Sequence, residues 1–315
     1  MRNQDSNFRC QSLSPSRLRG SCSNLKGLDS SKETFASTLA DLTAKGYPAI
    51  AFDLRGHGES PLGDEADFSP AALATDVLTA IRDMGAPNGA VLVGHSMGGR
   101  VAMRAAALDA ESDRPVLRSV VIEDMDIALR GERYVGALDA EEQATFDRFR
   151  AADGRRFASW EAARGALLPW YKDEGRVDSW RGKRVRALPD GQWWSDINPH
   201  AQRLAAERVL LSDDGARAWD SLAAAAVRCS LHVWYADPPG TVVALDGPGS
   251  IDEMRSKLPA AEYRLFAGSG HSIHNDRVHA AAFRDGLCEL IDAAAARNSG
   301  DTRKAAPPMR APRGG

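Results

Sequence analysis

The stretch that most restricts the fold is 90–99, where the apolar run Ala90, Val91, Leu92, Val93 breaks into Gly94, His95, Ser96, Met97, Gly98, Gly99. A short apolar run feeding glycine reads as a strand buried on both faces. A G-x-S-x-G turn needs glycine two places either side of the serine, because the serine adopts a strained conformation against which neighbouring Cβ atoms would clash. From Arg100 to Asp109, Ala, Met and Val recur at helical spacing, so the same turn opens a helix whose amide dipoles point at the serine. A glycine-rich turn with an incidental serine would explain the five-residue pattern but neither flank. Strand, sharp turn and helix mark Ser96 as a candidate nucleophile.

The chain around this turn alternates. Phe35, Leu39 and Leu42 recur at helical spacing within 31–44, and Tyr47 to Phe52 reads as a strand running into the glycine-punctuated loop Asp53, Leu54, Arg55, Gly56, His57, Gly58, Glu59, Ser60. Ser69 and Pro70 form an N-cap and first helical residue for a helix through Leu73, Val77, Ile81 and Met84. Leu117 to Ile122 is a further strand, ending in Glu123, Asp124, Met125 and Asp126. The rhythm resumes with a helix at 216–227, a strand at 231–235, a helix at 251–258, a strand at 263–266 and a closing helix at 278–295. Such alternation implies an α/β fold, a mostly parallel sheet flanked by helices.

Three stretches stand apart. Residues 128–209 show little strand signal, several short helical patterns and five of the seven tryptophans (Trp160, Trp170, Trp180, Trp193, Trp194), which fits an inserted helical cap. The tryptophans serve either an apolar acyl pocket or the small core of the cap itself. Residues 1–25 carry Arg2, Arg9, Arg17 and Arg19 against the single acid Asp5, with six serines, and read as a transit-like leader or a disordered start. Residues 298–315 read as a disordered tail, leaving 26–127 and 210–297 as the core domain.

Composition excludes some functions. The 40 basic and 43 acidic residues leave a formal charge of −3, so no basic field draws nucleic acid. No apolar run approaches the length of a transmembrane segment. Cys10, Cys22, Cys229 and Cys288 are scattered without C-x-x-C pairs, which argues for reduced thiols and against a zinc site. The expected location is intracellular: cytoplasmic, or mitochondrial or plastid if the leader is a transit peptide.

Four features in order, the loop Gly27, Leu28, Asp29, Ser30, the D-L-R-G-H-G-E-S loop at 53–60, the G-H-S-M-G-G turn at 94–99 and the G-S-G-H-S-I-H-N turn at 268–275, resemble the α/β-hydrolase superfamily over roughly residues 26–297. The resemblance is to serine esterases and lipases with a helical cap. It implies Ser96 as nucleophile and His271, after the last strand, as its base, with His274 as the alternative. His57 and His95 then read as structural neighbours of the site.

For the acid, many members use the segment after the penultimate strand, which offers Asp237, whereas a branch of small esterases uses the end of the strand after the elbow helix, which offers Asp124. Asp124 is the preferred assignment and Asp126 reads as a solvated loop carboxylate. Gly240, Thr241 and Val242 line the site or form a plain turn. The oxyanion donors implied are the backbone amides of Met97 and Leu28.

The chain departs from the family pattern before that loop. It has Lys26 and Gly27 where His-Gly is usual, and the residues ahead make a poor strand, so either 19–26 fill the sheet slot between 47–52 and 90–93 or the sheet is incomplete. The implied activity is hydrolysis of an ester or thioester of a small acyl substrate, with no cofactor and no metal. The alternatives are a non-catalytic ligand-binding relative and a cofactor-free carbon–carbon bond hydrolase.

Overall fold

The computed structural model describes residues 10–13, 21–25, 27–86, 88–130, 132, 135–224 and 228–299. Its first half forms strands β1 (Cys10–Leu13), β2 (Ser21–Leu25), β3 (Ala49–Phe52), β4 (Ala90–His95) and β5 (Leu117–Glu123), with helices α1 (Ala36–Ala44), α2 (Pro70–Asp83) and α3 (Met97–Ala110) between them. An insertion follows, holding α4 (Ala140–Arg150), β6 (Arg156–Phe157), α5 (Trp160–Tyr171), α6 (Glu174–Asp178), β7 (Val185–Ala187), β8 (Trp193–Ser195) and α7 (Pro199–Ala205). The alternation then resumes with α8 (Asp214–Ala224), β9 (Ser230–Ala236), α9 (Ile251–Lys257), β10 (Glu262–Phe266) and α10 (Ala280–Ser299).

Seven strands pair in the order β1-β3-β2-β4-β5-β9-β10, parallel throughout except for β1 against β3. Every residue of β4 is buried, as its unbroken apolar run requires. One face of the sheet packs on a core with Leu73, Val77 and Ile81 of α2, Val101 of α3 and Trp219 of α8. The other packs on Leu39 and Leu42 of α1 and Phe283, Leu287 and Ile291 of α10. The helix starts obey their local signals: Ser69 Oγ accepts from Ala72 N at 3.1 Å, with Pro70 in the first turn.

The start of the chain differs from the expected leader. Residues 10–13 and 21–25 are strands, and β2 fills the slot between β3 and β4, with Cys22 opposite both Ala49 and Val91. A strand paired along both edges is held by its ladder rather than by β propensity, which is why Ser23 and Asn24 are tolerated there although both are buried. Asn24 Nδ2 finds the Ile50 carbonyl at 3.0 Å, so burying its amide leaves no donor stranded. The rest of the leader, Lys26 and the tail from 300 lie outside the described residues.

The insertion is not purely helical: β6, β8 and β7 form a small antiparallel sheet in that order. Strands of two or three residues are too short to show alternation in the sequence. Phe149, Phe157, Trp160, Leu167, Val177, Trp180 and Ile197 make a separate apolar core, so Trp160 and Trp180 fill the insertion itself. Among the described residues no helix is long and apolar enough to cross a membrane.

The contact between β4 and α3 has no slack at Gly94, where a Cβ would lie 2.2 Å from the Gly98 carbonyl oxygen and 2.8 Å from Ala102 Cβ. Because the obstacle is backbone it cannot rotate away. Gly94→Ala should cost about 3 kcal/mol of stability or more, read as a lowered urea midpoint.

Candidate active site

Ser96 sits between the last residue of β4 and the first of α3, at φ 53° and ψ −125°. A non-glycine residue in that region carries strain of about 1–3 kcal/mol, which surrounding structure must hold. Here Ser96 N donates to the Glu123 carbonyl at 2.9 Å and Ser96 O accepts from Gly99 N at 2.7 Å. The Met97 amide opens α3, where no preceding carbonyl can accept it within the helix. Gly27 lies directly against this bend: a Cβ there would come 3.1 Å from Ser96 Cβ and 3.3 Å from His95 Nδ1. The backbone at Gly27 is thus pressed onto the serine.

The side chain of Asp124 is fully buried. Its Oδ1 accepts from Ala236 N at 3.0 Å and Thr241 Oγ at 2.6 Å, and its Oδ2 from Val242 N at 3.2 Å. The fourth partner is His271 Nδ1, at 2.7 Å from Oδ2. With Nδ1 engaged by a carboxylate, the neutral His271 ring keeps its lone pair on Nε2. His271 remains about one-third exposed, on the accessible side of the pair.

The other candidates are placed elsewhere. Asp237 accepts from Gly268 N at 2.6 Å, tying down the turn that precedes His271 without touching its ring. His274 is wholly buried, its Nδ1 2.7 Å from Glu123 Oε1 and its ring stacked on Phe35. Asp126 corrects its expectation: rather than solvated it is fully buried, paired with Arg130 and accepting from Ala128 N and Ala244 N. Alternation was no guide there because the segment has already left the strand. His57 bonds the Arg55 carbonyl through Nδ1 at 2.9 Å within its own loop. His95 Nε2 meets the His271 carbonyl at 3.0 Å, and the two rings lie 4.5 Å apart. Burial pushes the His95 pKa down to about 4, so His95 is neutral near pH 7 and donates through Nε2.

Sequence reasoning missed Glu123. Both the backbone amide and the ring of His274 donate to its carboxylate, anchoring the loop that carries His271. Burial works to raise its pKa, but the charges and hydrogen bonds of His274, with His95, outweigh that and hold it below the usual carboxylate range. Glu123 stands directly before Asp124 at the end of β5, and nothing in the sequence sets it apart from that neighbour. His95, Glu123 and His274 also bring one donor atom each within 4.8 Å of one another, a nitrogen-rich set of the kind that suits zinc-like ions. Glu123 and His274 pair through His274 Nδ1, while His274 Nε2 and His95 Nδ1 are buried without a hydrogen-bond partner.

A second Ser–His–Glu arrangement lies on β9 and β10. Ser230 Oγ is 3.0 Å from His232 Nε2, and His232 Nδ1 is 2.9 Å from Glu262 Oε2. Ser230 begins a regular strand and shares its hydroxyl with Ser119 at 2.8 Å. It heads no helix, so no free helical amides face it.

A family model described as "Alpha/beta hydrolase family" matches residues 27–285. The chain belongs to that family. Among curated alpha/beta hydrolase relatives, it is 24% identical over 291 residues to a Xenopus tropicalis protein named sn-1-specific diacylglycerol lipase ABHD11, covering 86% of this chain and 77% of that one. Among solved structures, an E-2-(acetamidomethylene)succinate hydrolase matches with a TM-score of 0.59 at 21% identity over 90% of this chain and 99% of that one. A thioesterase domain from the curacin biosynthetic pathway matches with a TM-score of 0.60 at 18% identity, covering 89% and 95% respectively.

Because Thr241 is, among the described residues, the side-chain hydroxyl on the Asp124 carboxylate, Thr241→Val leaves a buried acceptor short of a donor at nearly constant volume. The expected cost is about 1–2 kcal/mol in chemical denaturation, with Thr241→Ser restoring most of it.

Proposed function

We propose that this chain is a serine hydrolase cleaving an ester or thioester of a small acyl substrate through an acyl-enzyme intermediate. The observation that supports the reading is the bond from His271 Nδ1 to the buried Asp124 Oδ2 at 2.7 Å, beside the strained Ser96 bend, whose preceding residue His95 holds the His271 carbonyl at 3.0 Å. Ser96 Oγ attacks the acyl carbon and its proton passes to His271 Nε2. Asp124 keeps the ring oriented and stabilises the imidazolium that forms. The amides of Met97 and Leu28 receive the negative charge that develops on the carbonyl oxygen. Collapse expels the alcohol or thiol, protonated by His271, and a water deprotonated by the same nitrogen releases the acid.

The insertion is the cap, packing on the loops at the carboxyl ends of the strands through Arg155, which donates to the Gly58 and Ser60 carbonyls. A non-catalytic reading rests on Lys26 and Gly27 standing where His-Gly is usual; β2 paired on both edges inside the sheet supports the catalytic reading over it. The names of the relatives, a lipase and a thioesterase domain among them, support acyl transfer to water as the reaction class.

Labelling with a fluorophosphonate probe followed by peptide mapping tests the assignment. The label is expected on Ser96, and Ser96→Ala should lower turnover of p-nitrophenyl butyrate by about 1,000-fold or more. A protein that turns the ester over undiminished as Ser96→Ala, or that carries the label on Ser230, rules the mechanism out.

A further inference from the structure

The loop that would supply the Leu28 amide is short, and the bonds that close it are long. Ser30 N and Ser30 Oγ both donate to the Gly27 carbonyl at 3.5 Å, the outer limit for such bonds. In a trans peptide the C=O and N–H point in opposite directions, so whatever aims the Gly27 carbonyl also aims the Leu28 N–H. Closing bonds of that length fix the plane loosely, and misplacement of an oxyanion donor by a fraction of an ångström lowers the rate.

Two arginines of the insertion take up this slack at the next residue. Arg184 Nη1 donates to the Asp29 carbonyl, while its Nε is held 3.2 Å from Asp196 Oδ1. Asp196 is itself fastened to the core, its carbonyl accepting from Gly58 N at 3.0 Å. Arg176 Nη2 donates to Asp29 Oδ2 at 3.1 Å, with its guanidinium over the rings of Tyr171 and Trp180. Both the main chain and the side chain of Asp29 are therefore gripped from the insertion. The neighbouring Arg186 provides an internal comparison, because it reaches the core at Glu59 and does not hold the 27–30 turn.

We propose that Arg184, assisted by Arg176, is a positioning residue for the oxyanion hole, so that the insertion sets the direction of the Leu28 amide through Asp29. The inference rests on the serine hydrolase reading above. A transition-state contact is felt in kcat, whereas a contact felt equally by bound substrate is felt in KM.

The experiment measures hydrolysis of p-nitrophenyl butyrate and inhibition by a trifluoromethyl ketone, whose adduct carries an oxyanion, and by butyrate, which does not. Arg184→Ala should lower kcat about 10- to 100-fold at nearly constant KM and weaken the ketone by a similar factor, leaving butyrate inhibition unchanged. Arg184→Lys should recover part of the loss, since an ammonium reaches the Asp29 carbonyl but cannot also hold Asp196. Arg186→Ala should behave as wild type. If Arg184→Ala melts too low to assay, Arg176→Ala, at a half-exposed site, carries the test with an expected severalfold fall in kcat and in ketone affinity. Wild-type kcat and ketone affinity in the assayed arginine variant, with Ser96 still labelled by fluorophosphonate, overturns the inference alone. Failure of wild type to label at Ser96 overturns the reading beneath it.

Discussion

The site depends on one buried carboxylate. Taking Asp124 out of water costs several kcal/mol unless the protein replaces the lost hydration with hydrogen bonds. Here one donor is the last residue of β9, two come from the segment that follows it and the fourth from the loop after β10. That arrangement needs β5 and β9 to be neighbours in register, with Glu123 opposite Trp234 and Asp124 N on the Trp234 carbonyl at 2.8 Å. The segment after β9, which the resemblance offered as the other place for the acid, carries donors to Asp124, and Asp237 braces a turn.

Around the three residues proposed to react lies a second set, each member close in sequence to one of them. His95 adjoins Ser96 and grips the His271 carbonyl; Glu123 adjoins Asp124 and grips His274. The two rings His95 and His274 also meet edge to face, 5.0 Å between centroids. The loop bearing His271 is therefore fastened by its own carbonyl and by a residue three places on. Such over-determination is what lets a partly exposed imidazole keep a fixed orientation, and it limits how far either histidine loop can drift when substrate enters.

The insertion does more than cover the sheet. Arg155 is almost completely buried between it and the loop at 53–60, which accounts for its pKa being driven down to about 10 by desolvation. Arg186 and Lys32 converge on Glu59, and Lys32 continues to the buried Asp53. The loops that follow β2 and β3 are thus tied into one charged lattice with the insertion. Ties of this kind contribute little when fully solvated and more where one partner is dry, as Asp53 and Arg155 are.

The sequence alone determined the periodic elements and the bend, because apolar alternation, glycine spacing and helix caps act over a few residues. Ser96 was legible from its flanks, and His271 and the choice between Asp124 and Asp237 were legible through resemblance. Only the tertiary structure decided which carboxylate the imidazole meets, since the donors that steady Asp124 lie more than a hundred positions along the chain. It likewise decided that Ser21–Leu25 is a central strand, a state set by pairing on both edges and not by its own side chains. Glu123 and the arginines on Asp29 were invisible for the same reason: each acts through a contact that exists only once distant segments are packed together.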